Sequence, residues 1–231
     1  MTGTALVTGG SGGLGSAVTR AFLDGGWRVV VPVRPDGPAP ASLPPGDGLV
    51  LEPADLFDPG AVGRVVARAA GDAGAPLGAV VNLVGGFAQG GRVHETPVEA
   101  FEDQFRLNLR PTYLVCHAAL GPLVAAGGGA IVCVSTRAAV RPFPGAAGYI
   151  ASKAAVLALV DALAVEYRGD RVRANAVLPS VIDTPANRRS QPDADHAKWV
   201  APAEIAAVIR FLCEDGSGVV SGAHVPVYGR A

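Results

Sequence analysis

Short runs of apolar, β-branched residues alternate with longer segments of helical periodicity along the whole chain. The apolar runs predict seven β-strands, at 4–8, 27–33, 49–52, 79–83, 130–135, 172–178 and 223–227. The helical periodicity predicts a first helix that ends at Gly25-Gly26, and later helices at 58–72, 97–126, 149–168 and 202–214. Strands that are apolar throughout and separated by helices indicate a parallel sheet with both faces covered.

The predicted fold class is α/β: a single-domain Rossmann fold, with a doubly wound seven-stranded parallel sheet and helices on both faces. The 231 residues lie within the range of one large α/β domain, and no linker or repeat divides 1–231. Two long irregular stretches interrupt the alternation, the proline-rich 34–48 and the segment 179–201. Because such folds bind ligands at the carboxyl ends of their strands, we expect these stretches to wall a site, with 179–201 as the substrate loop.

Composition and net charge limit the class of protein and the binding partners that we expect. The chain is 49% hydrophobic and 17% charged, which suits a large core and argues against disorder. A net charge of −1 gives no electrostatic reason to expect nucleic acid or an anionic membrane. The three cysteines lie in separate apolar runs and the four histidines form no metal-binding pattern, so we expect reduced core thiols and no metal. Without a basic leader or an apolar run of about 18 residues, a cytoplasmic protein is predicted.

A glycine-rich turn follows the first predicted strand and opens the first helix, with the sequence Thr8-Gly9-Gly10-Ser11-Gly12-Gly13-Leu14-Gly15. Glycines let the backbone approach a pyrophosphate, and a helix N-terminus favours its negative charge. A glycine turn alone is weak support, because any tight strand–helix connection needs glycine. The strand–turn–helix context favours dinucleotide binding.

Tyr149 and Lys153 are four residues apart and would share one face of a helix. A free tyrosine keeps its proton until pH ~10, so it is a poor acid–base catalyst near neutrality. An ammonium group beside it would favour the phenolate and lower the tyrosine pKa toward the working range. On its own such a pair is common at helix starts and carries little functional information.

Together these motifs resemble the short-chain dehydrogenase/reductase family, from residue 2 to about residue 228. The matching motifs are Thr8 to Gly15, Asp55-Leu56, Asn82-Leu83-Val84-Gly85-Gly86, Asn108, Ser135-Thr136, Tyr149 with Lys153, and Pro179 through Thr184-Pro185. The resemblance implies an NAD(P)(H)-dependent oxidoreductase acting on a carbonyl or alcohol. It implies that Tyr149 exchanges the proton, Lys153 holds the nicotinamide ribose and Asn108 positions a relay water. It also implies cofactor contacts at Gly9, Ser11, Gly13, Leu14, Gly15, Arg34, Asp55, Leu56, Asn82, Val84, Gly85, Tyr149, Lys153, Pro179, Ile182 and Thr184.

The end of the second strand bears on cofactor choice. A carboxylate there would bond the ribose of NAD and repel the phosphate of NADP, but this chain has Val33 followed by Arg34. Because a guanidinium suits a phosphate, NADP(H) is favoured over NAD(H). Two observations weaken the preference. Arg34 could simply be solvated in a proline-rich loop, and NADP-preferring relatives often carry a basic residue where this chain has Gly12.

Two positions near the expected catalytic centre leave alternatives open. Pro111 cannot donate to the carbonyl of Leu107, which predicts a bent helix with a free acceptor beside Asn108. That bend could serve a relay water or be a simple kink. The family usually has a serine thirteen residues before the tyrosine, where this chain has Thr136. We expect Thr136 to supply the substrate-binding hydroxyl, with neighbouring Ser135 as the alternative and with Tyr149 working alone as the third possibility.

The segment from Leu178 to Arg188, continued by 192–199, resembles the corresponding loop of dihydropteridine reductases. The residues expected on the substrate side are Phe87, Gln89, Phe143, Asn187 and Trp199. The leading hypothesis is a carbonyl reductase or alcohol dehydrogenase of small cyclic or aliphatic compounds. The alternatives are reduction of a quinonoid dihydropterin or imine-like heterocycle, and a non-catalytic dinucleotide-binding protein. Arg188-Arg189 could attract an anionic substrate, although exposed arginines are usually just solvated. A homotetramer or homodimer is expected through the apolar helices near 97–126 and 149–168.

Overall fold

The computed structural model describes residues 3–37, 43, 46 and 48–230. Seven parallel strands form one sheet in the order β3-β2-β1-β4-β5-β6-β7, which confirms the predicted fold class. Every predicted strand is present, and the predicted ends differ from the observed ones by at most two residues. The strands are β1 Thr4–Thr8, β2 Arg28–Val33, β3 Leu49–Pro53, β4 Leu77–Asn82, β5 Gly129–Val134, β6 Val172–Pro179 and β7 His224–Val227.

Helices cover both faces of the sheet. They are α1 Gly15–Asp24, α2 Pro59–Ala70, α3 Val98–Asn108, α4 Arg110–Ala125, α5 Ala147–Glu166, α6 Pro185–Ser190 and α7 Pro202–Cys213. Side chains alternate between the two faces along each strand. In β1, Leu6 lies in the core with α2, α4 and α5, whereas Ala5 and Val7 lie in the core with α1 and α7.

The helix predicted over 97–126 is two helices, which meet at Leu109. Pro111 explains the break, because a proline at the second position of α4 has no N–H to donate to the turn before it. The backbone N–H of Leu109 still donates to the carbonyl of Phe105 (2.9 Å), and that of Tyr113 donates to Leu109 (2.9 Å), so the two helices follow one another closely.

The stretch 179–201 was predicted to be irregular, but it contains the short helix α6. The side-chain oxygen of Thr184 accepts the backbone N–H of Asn187 (3.2 Å), and Pro185 occupies the first helical turn. A threonine cap followed by proline is a strong local helix start, which the sequence interpretation overlooked. The other expected wall, 34–48, lies partly outside the described residues. Its first residues form an exposed turn, closed by the N–H of Gly37 and the carbonyl of Arg34 (3.1 Å).

Helix α5 has 20 residues and is long and apolar enough to cross a membrane by length and composition alone. In the fold, its Val156, Leu157 and Val160 are buried in the core shared with α2 and α4. A core helix in a doubly wound sheet is apolar for that reason. Because α5 also begins two residues before Tyr149, the predicted Tyr149–Lys153 pair lies on its first two turns.

Candidate active site

The predicted motifs meet at the carboxyl edge of the central strands, as the parallel topology requires. The glycine loop follows β1, the segment 83–91 follows β4, Ser135-Thr136 follows β5, and 180–184 follows β6. Direct contacts join them. The N–H of Leu83 donates to the hydroxyl of Thr8 (3.2 Å), and a Cβ added to Gly9 would lie 3.3 Å from the nitrogen of Val84.

The glycine loop is built for close backbone approach. Gly9 has a positive φ of 67°, and a Cβ added to Gly15 would collide with the carbonyl oxygen of Gly9. A Cβ added to Gly13 would lie 2.8 Å from the Cγ2 of Thr184, so the loop after β6 packs directly on this turn. Because α1 begins at Gly15, its N-terminus also favours negative charge here. The cradle therefore fits the pyrophosphate of a dinucleotide.

Tyr149 lies beside Thr136, not beside Ser135. Burial raises the pKa of Tyr149 above its usual 10, and a hydrogen bond with the Thr136 side chain opposes part of that rise. The Thr136 oxygen accepts the N–H of Ala138 (3.2 Å). The Ser135 hydroxyl instead donates to the backbone carbonyl of Lys153 (2.8 Å), which turns it toward the body of α5. The two hydroxyls thus point to different partners, as the strand alternation predicts.

Lys153 is almost fully buried, and its ammonium donates to the carbonyl of Val134 (3.1 Å). Burial lowers its pKa to about 8, with a small opposing effect from Cys133. The expectation that Lys153 lowers the pKa of Tyr149 is wrong for the protein by itself, because desolvation dominates at the tyrosine. Tyr149 therefore carries its proton at neutral pH and is set to act as an acid.

Asn108 links the loop after β4 to α5. Its side-chain oxygen accepts the N–H of Gly86 (2.8 Å), and its amide nitrogen donates to the hydroxyl of Ser152 (3.1 Å). The Ser152 hydroxyl donates in turn to the carbonyl of Tyr149 (2.8 Å). The backbone carbonyl of Asn108 accepts the Thr112 hydroxyl (3.2 Å). The relay water expected at the neighbouring carbonyl of Leu107 stays a prediction.

Gly85 lies directly against two of these polar groups. A Cβ added there would be 2.6 Å from Oδ1 of Asn108 and 2.8 Å from Nζ of Lys153, closer than side-chain atoms approach. The structure thus brings the predicted catalytic residues together: Asn108 and Lys153 meet at Gly85, Tyr149 contacts nearby Phe87, and Thr136 is hydrogen-bonded with Tyr149.

Two residues predicted to contact the cofactor have buried side chains. The amide of Asn82 is buried beneath the site, where its nitrogen donates toward the sulfurs of Cys116 (3.4 Å) and Cys133 (3.7 Å). Its Oδ1 is buried with no hydrogen-bond partner among the described residues. Leu56 is buried in the core beside α2, so only its backbone could face a cofactor. Leu56 is directed inward by packing in the core with α2, and the Asn82 amide by its contacts with the two sulfurs. One carboxylate oxygen of Asp55 accepts the N–H of Phe57 (2.9 Å), and Asp55 itself is exposed.

Aromatic side chains stand beside Tyr149 on the expected substrate side. The ring of Phe87 meets that of Tyr149 edge to face, with centroids 5.0 Å apart, and Phe143 lies 6.3 Å from Phe87. Trp199 instead packs on His196, with centroids 4.3 Å apart. Gln89 is exposed, close to Gly145.

The loop after β6 uses several of its polar groups internally. The Asn187 amide nitrogen donates to the carbonyl of Ile182 (2.8 Å). This nitrogen is therefore used within the loop, which does not support the prediction that it faces a substrate. Arg188 makes a two-point ion pair with Asp183, at 2.5 and 2.8 Å, which lowers the pKa of Asp183 and raises that of Arg188. With its charge matched, Arg188 is a weak attractor for an anionic substrate.

A cleft of about 1070 Å³ opens at the opposite edge of the sheet, lined by glycines and by Arg168, Arg171 and Arg173. Arg173 donates to the backbone carbonyls of Leu212 (2.8 Å) and Glu214 (3.3 Å), at the end of α7. Several helices end at this edge, and cations there stabilise their carbonyl ends. Arg173 therefore caps the end of α7 at this edge, whereas the reactive groups lie at the other edge.

Comparison with known proteins agrees with this geometry. Residues 9–229 match the family model described as enoyl-(acyl carrier protein) reductase. The 2-(R)-hydroxypropyl-CoM dehydrogenase of Xanthobacter autotrophicus is 34% identical, covering 96% of this chain and 96% of that protein. The cis-4-hydroxycyclohexanecarboxylate dehydrogenase of Sinomonas cyclohexanicum is 31% identical, covering 97% and 94%. The solved structure of a short-chain type dehydrogenase/reductase from Mycobacterium ulcerans has a TM-score of 0.90 at 26% identity, covering 99% and 89%.

Proposed function

Because this chain belongs to the short-chain dehydrogenase/reductase family of NAD(P)-dependent oxidoreductases, we propose that Tyr149 is its general acid and base in the interconversion of a carbonyl and an alcohol. The observation that carries the proposal is the Tyr149–Thr136 hydroxyl pair at the same sheet edge as the glycine cradle. When bound, the nicotinamide cofactor supplies or accepts the hydride. The protein itself handles the proton and holds the substrate oxygen.

The proton chemistry follows from burial. Tyr149 keeps its proton at neutral pH, so it can protonate a carbonyl oxygen that is being reduced. Thr136 would donate a second hydrogen bond to that oxygen. Lys153, with its pKa near 8, is mostly protonated at neutral pH and would hold the nicotinamide ribose. In oxidation the same tyrosine oxygen accepts the proton.

We propose NADP(H) as the preferred cofactor. Val33 leaves no carboxylate at the end of β2, and the exposed Arg34 follows it, which suits a 2′-phosphate. The pyrophosphate would lie on the glycine loop and the N-terminus of α1, and Asp55 would face the adenine. The nicotinamide end would be held by Val84, Gly85, Lys153, Pro179, Ile182 and Thr184.

The other functions are not favoured. The relatives compared above are named dehydrogenases, which supports alcohol–carbonyl chemistry over reduction of a dihydropterin. A non-catalytic role is opposed by Tyr149, Lys153 and Asn108, which are all present and close together. We also expect a cytoplasmic enzyme.

A homotetramer or homodimer is proposed through α4 and α5. Tyr113 and Val124 on α4, and Val165 on α5, are exposed apolar side chains on these helices. Sedimentation velocity would test this, and a monomer at all concentrations would exclude it.

The decisive assay follows the nicotinamide absorbance of NADPH or NADH with a panel of ketones and a quinonoid dihydropterin. Tyr149→Phe keeps the ring contact with Phe87 but removes the hydroxyl, so we expect kcat to fall about 10³-fold while cofactor binding persists. The control is Tyr167→Phe, just past the far end of α5, which should keep full activity. Unchanged turnover in the Tyr149 variant would exclude the proposed acid.

A further inference from the structure

Two phenylalanines, Phe87 and Phe143, form what we call the aromatic wall. Phe87 is 56% exposed and Phe143 is 41% exposed, although each ring has an aromatic neighbour. Leaving two large apolar rings in water is unfavourable, and such a patch marks a binding surface when it adjoins a reactive group. Here the adjoining group is Tyr149, which Phe87 touches edge to face.

The aromatic wall is held in place by the backbone. The N–H of Gly90 donates to the carbonyl of Gly145 (2.7 Å), which joins the segment carrying Phe87 to the segment carrying Phe143. Gly145 has a positive φ of 84°, and a Cβ there would lie 2.8 Å from the carbonyl oxygen of Gly90. On the other side of Phe87, the N–H of Gly86 is fixed by Asn108. The exposed rings are therefore preorganised and not part of an unattached loop.

Two polar side chains of the loop after β6, at the same edge of the sheet, are used within the protein. Asn187 directs its amide donor to Ile182, and Arg188 is matched by Asp183. Polar groups of a polyol or a pterin that lie against the rings of Phe87 and Phe143 would lose hydrogen bonds to water without regaining them from those rings, whereas an apolar ring loses none. A ring also has fewer rotatable bonds than an open chain of equal carbon number, so it loses less conformational freedom when it is held against the two rings.

We propose that the substrate carries an uncharged apolar ring that contains the reacting carbon or is bonded directly to it, and that Phe87 is the residue that selects it. This inference rests on the proposed function and names the substrate class of that site. One hydroxyl-bearing carbon faces Tyr149 and Thr136, and the ring lies against the aromatic wall.

The test compares cyclohexanone with 2-hexanone, two ketones of equal carbon number, by kcat/KM. The wild-type enzyme should prefer the ring ketone by about 10-fold or more, and Phe87→Ala should lower the ratio of the two kcat/KM values about 10-fold. Phe211→Ala is the matched control, because Phe211 is 49% exposed on α7, and it should leave that ratio unchanged. Because Phe87 is exposed, the variant should fold, which thermal melting will check.

Equal turnover of both ketones, a preference for the chain ketone or for a polyol, or an equal loss for both ketones in Phe87→Ala would overturn the inference. A second readout separates it from the proposed function. Ligand-observed NMR with cyclohexanol and 2-hexanol reports binding without turnover. Ring-selective binding that Phe87→Ala weakens, with no turnover of any substrate, would reject the proposed chemistry and sustain the ring site. Binding without ring selectivity would reject the ring site alone.

Discussion

The buried ammonium of Lys153 allows a quantitative prediction about stability, because its pKa is shifted far from the ordinary value of lysine. Its pKa is lowered from 10.5 to about 8 by burial, while the unfolded chain keeps the ordinary value. Between these two pH values the unfolded chain binds a proton that the folded protein has released, so stability rises with pH across this window. Below about pH 8 both states are protonated, and the folded protein carries the whole cost of the buried charge, about 3 kcal/mol.

Lys153→Met removes the charge and keeps most of the apolar stem. We expect the variant to be more stable than wild type by up to about 3 kcal/mol below pH 8, with the advantage shrinking toward pH 10.5. Loss of the hydrogen bond to Val134 will reduce the gain by about 1 kcal/mol. Lys198, the only other lysine in the chain, is exposed and is the matched control. Lys198→Met should show no such pH-dependent gain.

Urea unfolding at several pH values from about 7 to 10.5 measures these differences directly. Subtracting the variant from wild type removes the contribution of the other groups that titrate in the same range. If the two stability curves run parallel across the window, the ammonium of Lys153 is solvated in the folded protein and the reasoning is refuted. A gain that grows with pH would give the opposite sign and also refute it.

Other substitutions test the site more locally. Gly85→Ala should lower kcat/KM about 10²-fold, because the added Cβ would displace Asn108 and Lys153. The control is Gly63→Ala, in open space on α2, which should leave kcat/KM unchanged and add up to about 1 kcal/mol to the free energy of unfolding. Gly12→Arg should raise the NADPH-to-NADH ratio of kcat/KM about 10-fold, because it adds a guanidinium for the phosphate of NADPH. The substitution has room, since only the carbonyl of Gly9 lies near the added Cβ (3.3 Å). An unchanged ratio would reject the proposed phosphate site. Thr136→Ala should lower kcat about 10²-fold and Thr136→Ser should restore it, whereas a fully active alanine variant would show that this hydroxyl is dispensable.

Local sequence patterns predict the fold, and the motifs shared with the family identify the candidate reactive residues. Strand and helix periods are local properties, so seven strands and the main helices could be predicted within two residues at the strand ends. The spacing of Tyr149 and Lys153 also fixed their shared helix face, because helix geometry needs no tertiary contact. Pro111 predicted a bend within one helix over 97–126, but not that one helix ends and a second begins around Leu109.

The tertiary structure decided which side chains are available for chemistry. Asn82 and Leu56 match the family motifs, yet both side chains are buried. Thr136 meets Tyr149 while Ser135 binds the backbone of Lys153, and the pKa of Tyr149 rises where proximity to a lysine suggested a fall. Burial and hydrogen-bond partners come from segments distant in sequence, so local spacing cannot specify them. Local spacing specifies which residues share a helix or strand, whereas packing specifies which of them face the candidate active site and how strongly they hold a proton.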